Sequence, residues 1–162
     1  SFGAFGGRRE LMQRFDPRRP DALGHAGTFN NNVLSMAAGL AGLQQLWTPA
    51  AVEQLNTRGD RLRERCNTLF RTRGLALQAS GLGSLMTLHA TDRPLRNATD
   101  GAGSDPRIKD LLYFALLGRG IYMARRGMVA LSLPFGDAES DRFAAALDEA
   151  LAEHASVMPA SS

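Results

Sequence analysis

The sequence has 162 residues, of which 44% are hydrophobic and 22% are charged, and its formal net charge is +3. These values are ordinary for one folded domain with an apolar core, and the small positive excess is weak support for nucleic-acid binding because solubility also explains it. The single cysteine, Cys66, excludes an internal disulfide. No apolar run approaches the ~18–20 residues of a membrane span, and we expect no membrane partner.

The amino-terminal residue is Ser1, and no signal-peptide pattern follows it. We therefore expect a piece of a longer protein. The lone cysteine fits a reducing compartment, so a cytoplasmic location is predicted.

Two helices are predicted in the first part of the chain. The first covers residues 8–15, and the second runs from about Asn30 to Trp47. Apolar residues recur on one face of the second helix at helical spacing. They are Val33, Met36, Ala37, Leu40, Leu43 and Leu46.

A long helix is predicted from residue 49 to about residue 73, with Thr48 as its N-cap, Pro49 at its first position and Gly74 at its end. Its buried stripe is predicted to comprise Val52, Leu55, Leu62, Cys66, Leu69 and Phe70. Most of its arginines lie off this stripe. A solvated face with local ion pairs is favoured for them over a phosphate-binding face.

After Gly74 the pattern changes to short strands. The segments "LALQAS" and "LMTLHA" flank the turn "GLGS", and "IYMARRGMVALSLP" predicts two more strands around a tight turn. A helix is predicted over residues 106–117. Asp137 is predicted to cap a last helix whose inward positions are Phe143, Leu147 and Leu151.

The sequence gives little support for a metal site or for a nucleophilic cysteine. His25, His89 and His154 lack ligand spacing, so no metal site is predicted. Cys66 lies on an apolar helical stripe, which favours core packing over reactivity.

The block "GHAGTFNNN" precedes the second helix and carries the first candidate site. Gly27 allows close backbone approach, and the Thr28 hydroxyl can donate to an anion at a helix entrance. The alternative is that Thr28 or one of the asparagines merely caps the helix.

The second candidate lies in "ARRGM", where Arg125 and Arg126 precede Gly127 in a predicted turn. A turn arginine can hold a carboxylate with two hydrogen bonds, or it can simply be exposed. Only one of the two adjacent side chains is expected to point inward.

Four segments, "SFGAFGGRRELM", "HAGTFNNNVLSMAAGLAGL", "GLGSLMTLHA" and "GIYMARRGMVALSLP", resemble, in this order, the C-terminal part of class III aminotransferases. The β-amino-acid aminotransferases and glutamate-1-semialdehyde aminomutase are the most similar members. The resemblance implies an α/β fragment of a fold-type I transferase that uses pyridoxal 5'-phosphate. Residues 1–47 would form the edge of the large domain, and residues 48–162 the linking helix and the small α+β domain.

The same resemblance implies roles for individual residues. Gly27 and Thr28 would bind the cofactor phosphate of the partner subunit in a homodimer, and Arg126 would bind the substrate carboxylate. Arg125 is then expected to point towards solvent. The Schiff-base lysine would lie upstream of Ser1, and Lys109 occupies an unrelated motif. The chain by itself is therefore predicted to be inactive, with no catalytic residue of its own.

The implied function is transfer of an amino group from an amino acid, with β-amino acids favoured, to a 2-oxo acid. The block "TFNNNV" and the shorter turn carrying Arg126 depart from the aminomutase pattern and favour a transaminase. An aminomutase-like isomerase is the alternative within the family. A non-enzymatic interaction or nucleic-acid-binding domain is the alternative from another class, although no nucleic-acid partner is expected.

Overall fold

The structure is a computed structural model that describes residues 3–30, 32–97, 99–101 and 104–161. It divides into two compact units, Ser1–Pro49 and Ala50–Ser162. Each unit is described by itself below.

The first unit is built from short helices. Helix α1, Arg9–Met12, continues into a 3-10 turn at Gln13–Phe15, and helix α2, Val33–Ala41, continues into a π-helical turn at Gly42–Leu46. Helix α2 begins three residues later than predicted. The reason is that Asn32 has an extended backbone, and its side chain accepts a hydrogen bond from the N–H of Ser35 at 3.0 Å. This N-cap ends the preceding turn and begins the helix.

The apolar face of α2 has the predicted spacing but is not covered within this unit. Val33 is 78% exposed, Leu34 80% and Leu40 55%. Among the described residues of the first unit, only Gly39 is buried. An apolar helix face needs a second layer to cover it, and these short helices do not supply one.

The second unit is held together by a long helix, a sheet and two further helices. Helix α3 spans Pro49–Thr72, α4 spans Pro106–Gly118 and α5 spans Asp137–Glu153. The strands are β1, Gln78–Leu82, β2, Leu85–His89, and β3, Met128–Ala130. They form an antiparallel sheet in the order β1-β2-β3, in which Ala79 lies opposite Leu88 and Met86 opposite Val129.

The core lies where α3, α4 and α5 pack with the sheet. Leu62, Phe70, Leu116 and Leu147 are each at most 1% exposed. The predicted stripe of α3 is confirmed for Leu55, Leu62, Cys66 and Phe70, which are buried, and the predicted inward residues of α5 are buried as well. None of the helices that the structure describes is both long and apolar enough to cross a bilayer.

Two local predictions for the second unit are wrong. The segment before Arg125 does not form a strand. Residues 121–124 are not paired with a neighbouring strand, and only the Ala124 N–H donates across the turn, to the Met128 carbonyl at 3.0 Å. The N-cap of α5 is Gly136 and not Asp137. The Gly136 N–H donates to the carboxylate of Glu139 at 2.8 Å. Glu139 thus provides the side-chain hydrogen bond at the start of α5, and Asp137 is not needed as the cap.

Candidate functional site

The Gly27–Thr28 segment forms a turn outside helix α2. Asn30 N–H donates to the Gly27 carbonyl at 3.0 Å, and Asn32 N–H donates to the Phe29 carbonyl at 3.1 Å. Thr28 is exposed and lies four residues before the N-cap residue, Asn32. The capping alternative is therefore met by an asparagine, Asn32, and among the described residues the Thr28 side chain has no hydrogen-bond partner.

The Asn30 side chain folds back over Gly27. A Cβ atom at Gly27 would lie 2.4 Å from Asn30 Oδ1 and 2.9 Å from its Cγ, so the loop requires a residue without a side chain here unless Asn30 moves. The Nδ2 atom of Asn30 is buried, and no partner for it is found in the described part of the chain. A buried amide donor without an acceptor is uncommon in a folded protein.

An aromatic cluster of Phe5, Phe15 and His25 lies in the same unit, and His25 is two residues before Gly27. The His25 ring lies 5.1 Å from the Phe5 ring and 6.2 Å from the Phe15 ring, measured between centroids. Together with Phe29 and Asn30, His25 and Phe5 line a cavity of about 600 Å³. The sequence from residue 22 to residue 52 has no acidic residue, so the turn offers donors without a competing carboxylate of its own.

The second candidate site is a tight turn in the second unit. Gly127 N–H donates to the Ala124 carbonyl at 2.8 Å, and Leu88 N–H donates to the Gly127 carbonyl at 2.9 Å. Gly127 has φ +90°, and a Cβ atom there would lie 2.7 Å from the Leu88 carbonyl oxygen. Only glycine combines this backbone conformation with such a close approach to β2.

The two arginines of the turn have different surroundings. Both are exposed, so the expectation that one of them points inward is not met in this structure, whereas the expected exposure of Arg125 is. Arg125 is nevertheless not free. Its Nε and Nη2 atoms donate to the two carboxylate oxygens of Asp110 on α4, each at 2.7 Å. Its guanidinium also lies 5.7 Å from the centre of the Phe114 ring. Hydrogen bonding from Arg125 lowers the pKa of Asp110, so the carboxylate stays ionised.

Arg126 makes no ion pair among the described residues. Its Nη2 atom lies 3.4 Å from the thioether sulfur of Met128, which is a weak acceptor. Met128 also lines an apolar cavity of about 410 Å³ with Tyr122, Val129 and Phe135. Within the described part of the chain, Arg126 therefore has no strong hydrogen-bond acceptor.

Gly27 and Thr28 lie in the first unit, and Arg126 lies in the second. Lys109, on α4, runs beside the turn, with its Cδ atom 3.5 Å from where a Cβ of Gly127 would lie. Cys66 is buried, and burial raises the pKa of its thiol to about 12, so it is a core residue and not a nucleophile. No cluster of metal ligands occurs within the described ranges.

The arginine-rich face of α3 is used inside the fold. Arg58, Arg65 and Arg73 pair with Asp137, Asp141 and Asp148, which all lie on α5. These pairs support the ion-paired face over the phosphate-binding face. Their partners lie more than seventy positions away along the chain. The predicted local pairs are also present within α3, where Arg63 pairs with Asp60 and Arg71 with Glu64.

Comparison with known proteins identifies the family. No protein-family model matches the chain. The chain is 48% identical over 159 residues to β-phenylalanine transaminase of Variovorax paradoxus, covering 98% of this chain and 36% of that protein. It is 37% identical over 151 residues to glutamate-1-semialdehyde 2,1-aminomutase of Sorangium cellulosum, covering 92% of this chain and 34% of that protein. The chain is homologous to a segment of class III aminotransferases.

Solved structures agree with this assignment. The crystal structure of a β-phenylalanine aminotransferase from Variovorax paradoxus matches with a TM-score of 0.88 and 46% identity, over 97% of this chain and 36% of that one. A transaminase with pyridoxal phosphate bound matches with a TM-score of 0.74 and 34% identity, over 91% of this chain and 34% of that one. The chain therefore spans about a third of the length of the relatives it matches, and its fold is that of a segment of these transferases.

The residues of the first site are compatible with the phosphate of pyridoxal phosphate. Thr28 is exposed and does not cap α2, and Gly27 lies where a Cβ would collide with Asn30. Sequence reasoning missed the pairing of Asp110 with Arg125. No local pattern signals it, because the two residues are fifteen positions apart in a helix and a turn.

Proposed function

We propose that the complete protein carrying this chain is a pyridoxal-phosphate-dependent aminotransferase that moves an amino group from a β-amino acid to a 2-oxo acid. The observation that carries the proposal is the 48% identity to a β-phenylalanine transaminase across 98% of the chain. The cofactor would supply an electron sink for the carbon that bears the amino group.

We propose that Gly27 and Thr28 hold the cofactor phosphate. The Thr28 hydroxyl would donate a hydrogen bond to a phosphate oxygen, and Gly27 would let the main chain approach it. The proposal is supported by the exposed Thr28 side chain and by the use of Asn32 as the N-cap of α2.

We propose that Arg126 orients the substrate through its carboxylate. A guanidinium presents two parallel donors that match the two carboxylate oxygens, and it stays charged at every working pH. The support is that Arg125 already pairs with Asp110, whereas the Arg126 side chain hydrogen-bonds only to a thioether among the described residues. Amino donors and acceptors of this class both carry a carboxylate, so one arginine can serve both halves of the reaction.

A homodimer and a cytoplasmic location belong to the same proposal. The exposed apolar face of α2, with Val33 and Leu34, is the kind of surface that the rest of the protein and a second subunit would cover. The lone, buried Cys66 fits a reducing compartment. Both remain predictions.

The experiment uses the complete enzyme with β-phenylalanine and with 1-phenylethylamine, which lacks the carboxylate. Loss of one partner of a buried charge pair costs about 2–5 kcal/mol, so Arg126→Ala should lower kcat/KM for β-phenylalanine by about thirtyfold to a few thousandfold. The amine should lose much less. Equal losses for both substrates would refute the role of Arg126.

The aminomutase is the rival function, because a glutamate-1-semialdehyde aminomutase is also a relative at 37% identity. The two activities are separated by their acceptors. A transaminase consumes a 2-oxo acid for each amino group transferred, whereas a mutase converts glutamate-1-semialdehyde without any acceptor. Turnover of glutamate-1-semialdehyde alone, with none of β-phenylalanine, would favour the mutase.

A further inference from the structure

The ion pair between Asp110 and Arg125 has a fork-to-fork geometry that single-contact surface pairs lack. Both carboxylate oxygens of Asp110 accept from the same guanidinium, at 2.7 Å each. The Phe114 ring lies one helical turn from Asp110 and supports the guanidinium from a second side. The arginine is therefore held in one direction, towards α4.

Two contacts tie the turn that carries both arginines to the rest of the fold, and a third closes its base. The Leu88 N–H to Gly127 carbonyl bond ties it to β2, and the Ala124 N–H to Met128 carbonyl bond closes its base. The Arg125–Asp110 pair ties its tip to α4. Arg126 lies between Arg125, which pairs with Asp110, and Gly127, which bonds to β2, so the backbone position of Arg126 depends on both contacts.

We propose that Asp110 and Arg125 form a positioning pair that fixes the turn and leaves Arg126 as the arginine that meets the substrate carboxylate. This inference rests on the proposed role of Arg126. Asp110 does not touch the substrate in this scheme. It acts through Arg125, whose charge it neutralises and whose side chain it draws onto α4.

The pair is exposed, with 63% of the Arg125 and 37% of the Asp110 side chain accessible, so its contribution to overall stability is small. The pair would instead contribute by keeping Arg126 aligned with the substrate carboxylate. Small displacements of a positioning group weaken catalysis far more than the loss of an exposed pair weakens folding. This difference separates a positioning role from a purely structural one.

A matched control lies on the same helix. Arg107 donates to both oxygens of Asp105 at the start of α4, through Nε at 3.0 Å and Nη2 at 2.7 Å, and 38% of the Asp105 side chain is exposed. Asp105 also caps α4 by accepting from the Arg107 N–H, which an asparagine can still do. Asp105→Asn thus breaks an equivalent pair without touching the turn.

The test measures kcat and KM of the complete enzyme with β-phenylalanine and with 1-phenylethylamine for four variants: Asp110→Asn, Asp110→Glu, Arg125→Gln and Asp105→Asn. For β-phenylalanine, Asp110→Asn and Arg125→Gln should each lower kcat/KM by about fivefold to thirtyfold. This loss is larger than the loss of an exposed ion pair would cause by itself and smaller than the loss expected when a catalytic group is displaced by about 1 Å. The loss should fall mainly on KM. The amine should change by less than about twofold, and Asp110→Glu should regain part of the activity.

The double variant Asp110→Asn/Arg125→Gln should be no worse than either single variant, because the two residues act as one unit. Asp105→Asn should match the wild type in both substrates, while its melting temperature falls about as much as that of Asp110→Asn.

The outcomes separate the two levels of the proposal. If Arg126→Ala harms both substrates equally, the proposed carboxylate site fails and the positioning role fails with it. If Arg126→Ala is selective but Asp110→Asn behaves like Asp105→Asn, only the positioning role fails. If Arg125→Gln is as damaging as Arg126→Ala, Arg125 is itself a ligand of the carboxylate and the pair is not a positioning device.

Discussion

The side chain of Asn67 on α3 makes two hydrogen bonds to the main chain of Ala79 on β1. Its Nδ2 atom donates to the Ala79 carbonyl at 3.0 Å, and its Oδ1 atom accepts from the Ala79 N–H at 2.7 Å. Strand β1 is at the edge of the sheet, so these main-chain groups have no neighbouring strand. The amide takes the place of that strand and links the helix to the sheet.

The second unit is expected to fold without the first. The buried apolar side chains of the described chain, from Leu55 to Met158, all belong to it. A polypeptide of residues 50–162 should therefore unfold cooperatively and give dispersed amide signals in NMR spectra. Residues 1–49 alone should show neither property. A non-cooperative melt for residues 50–162 would show that the core is incomplete.

Replacing Asn67 should destabilise this unit. Asn67→Ala leaves the buried N–H and C=O of Ala79 without partners, at about 1–3 kcal/mol for each group. Urea denaturation of residues 50–162 would measure the loss. Thr68→Ala, at the exposed next position of α3, should change the free energy of unfolding by less than about 0.5 kcal/mol. Equal values for the two variants would contradict the bridging role of Asn67.

Gly59 marks the closest approach of α3 to the β1–β2 turn. A Cβ atom there would lie 2.1 Å from the Gly83 carbonyl oxygen and 2.9 Å from Ser84 Cα, both main-chain atoms. Gly59→Ala should destabilise the unit by about 1–3 kcal/mol, although alanine favours a helix by about 1 kcal/mol. Gly118→Ala on α4 is the control because a Cβ there meets nothing within 4 Å. It should be neutral or slightly stabilising.

The stability of the unit should fall in mild acid through His89. Its Nε2 atom lies 2.9 Å from Ser80 Oγ, and burial, followed by the charge of Lys109, lowers its pKa below the ordinary value of 6.5. Between the two pKa values the unfolded chain binds more protons, so this contribution to stability is present above pH 6.5 and is lost as pH falls through the folded pKa.

Urea titrations of residues 50–162 above and below that pH would measure the effect. His89→Gln should flatten the dependence, and Lys109→Met should weaken it. A His89 ring that titrates at or above 6.5 in NMR spectra would overturn the assignment.

Thr28→Ala should weaken cofactor binding in the complete enzyme. One hydrogen bond to a charged phosphate is worth about 1.5–3 kcal/mol, so the dissociation constant of pyridoxal phosphate should rise about tenfold to a hundredfold. Thr28→Ser keeps the hydroxyl and should bind nearly as well as the wild type. The fold should survive because Asn32 caps α2. A lower melting temperature with unchanged cofactor affinity would leave Thr28 with a structural role only.

The sequence by itself determined the features that depend on neighbouring residues. The spacing of Leu55, Leu62, Cys66 and Phe70 predicted the buried stripe of α3, because a helix brings residues three and four apart onto one face. The four quoted segments predicted the family, which the relatives confirm. The turn around Gly127 was predicted from its glycine, although one flanking strand was not formed.

Only the tertiary structure decided which distant groups meet. The N-cap of α2 fell to Asn32, one of several asparagines that could each accept the same hydrogen bond. The pairing of Asp110 with Arg125, rather than Arg126, depends on how α4 packs against the turn. The glycine at position 59 matters because Gly83 lies against it. Such contacts join residues that chain spacing does not relate, since side-chain direction and helix packing are set by the whole core and not by any local pattern.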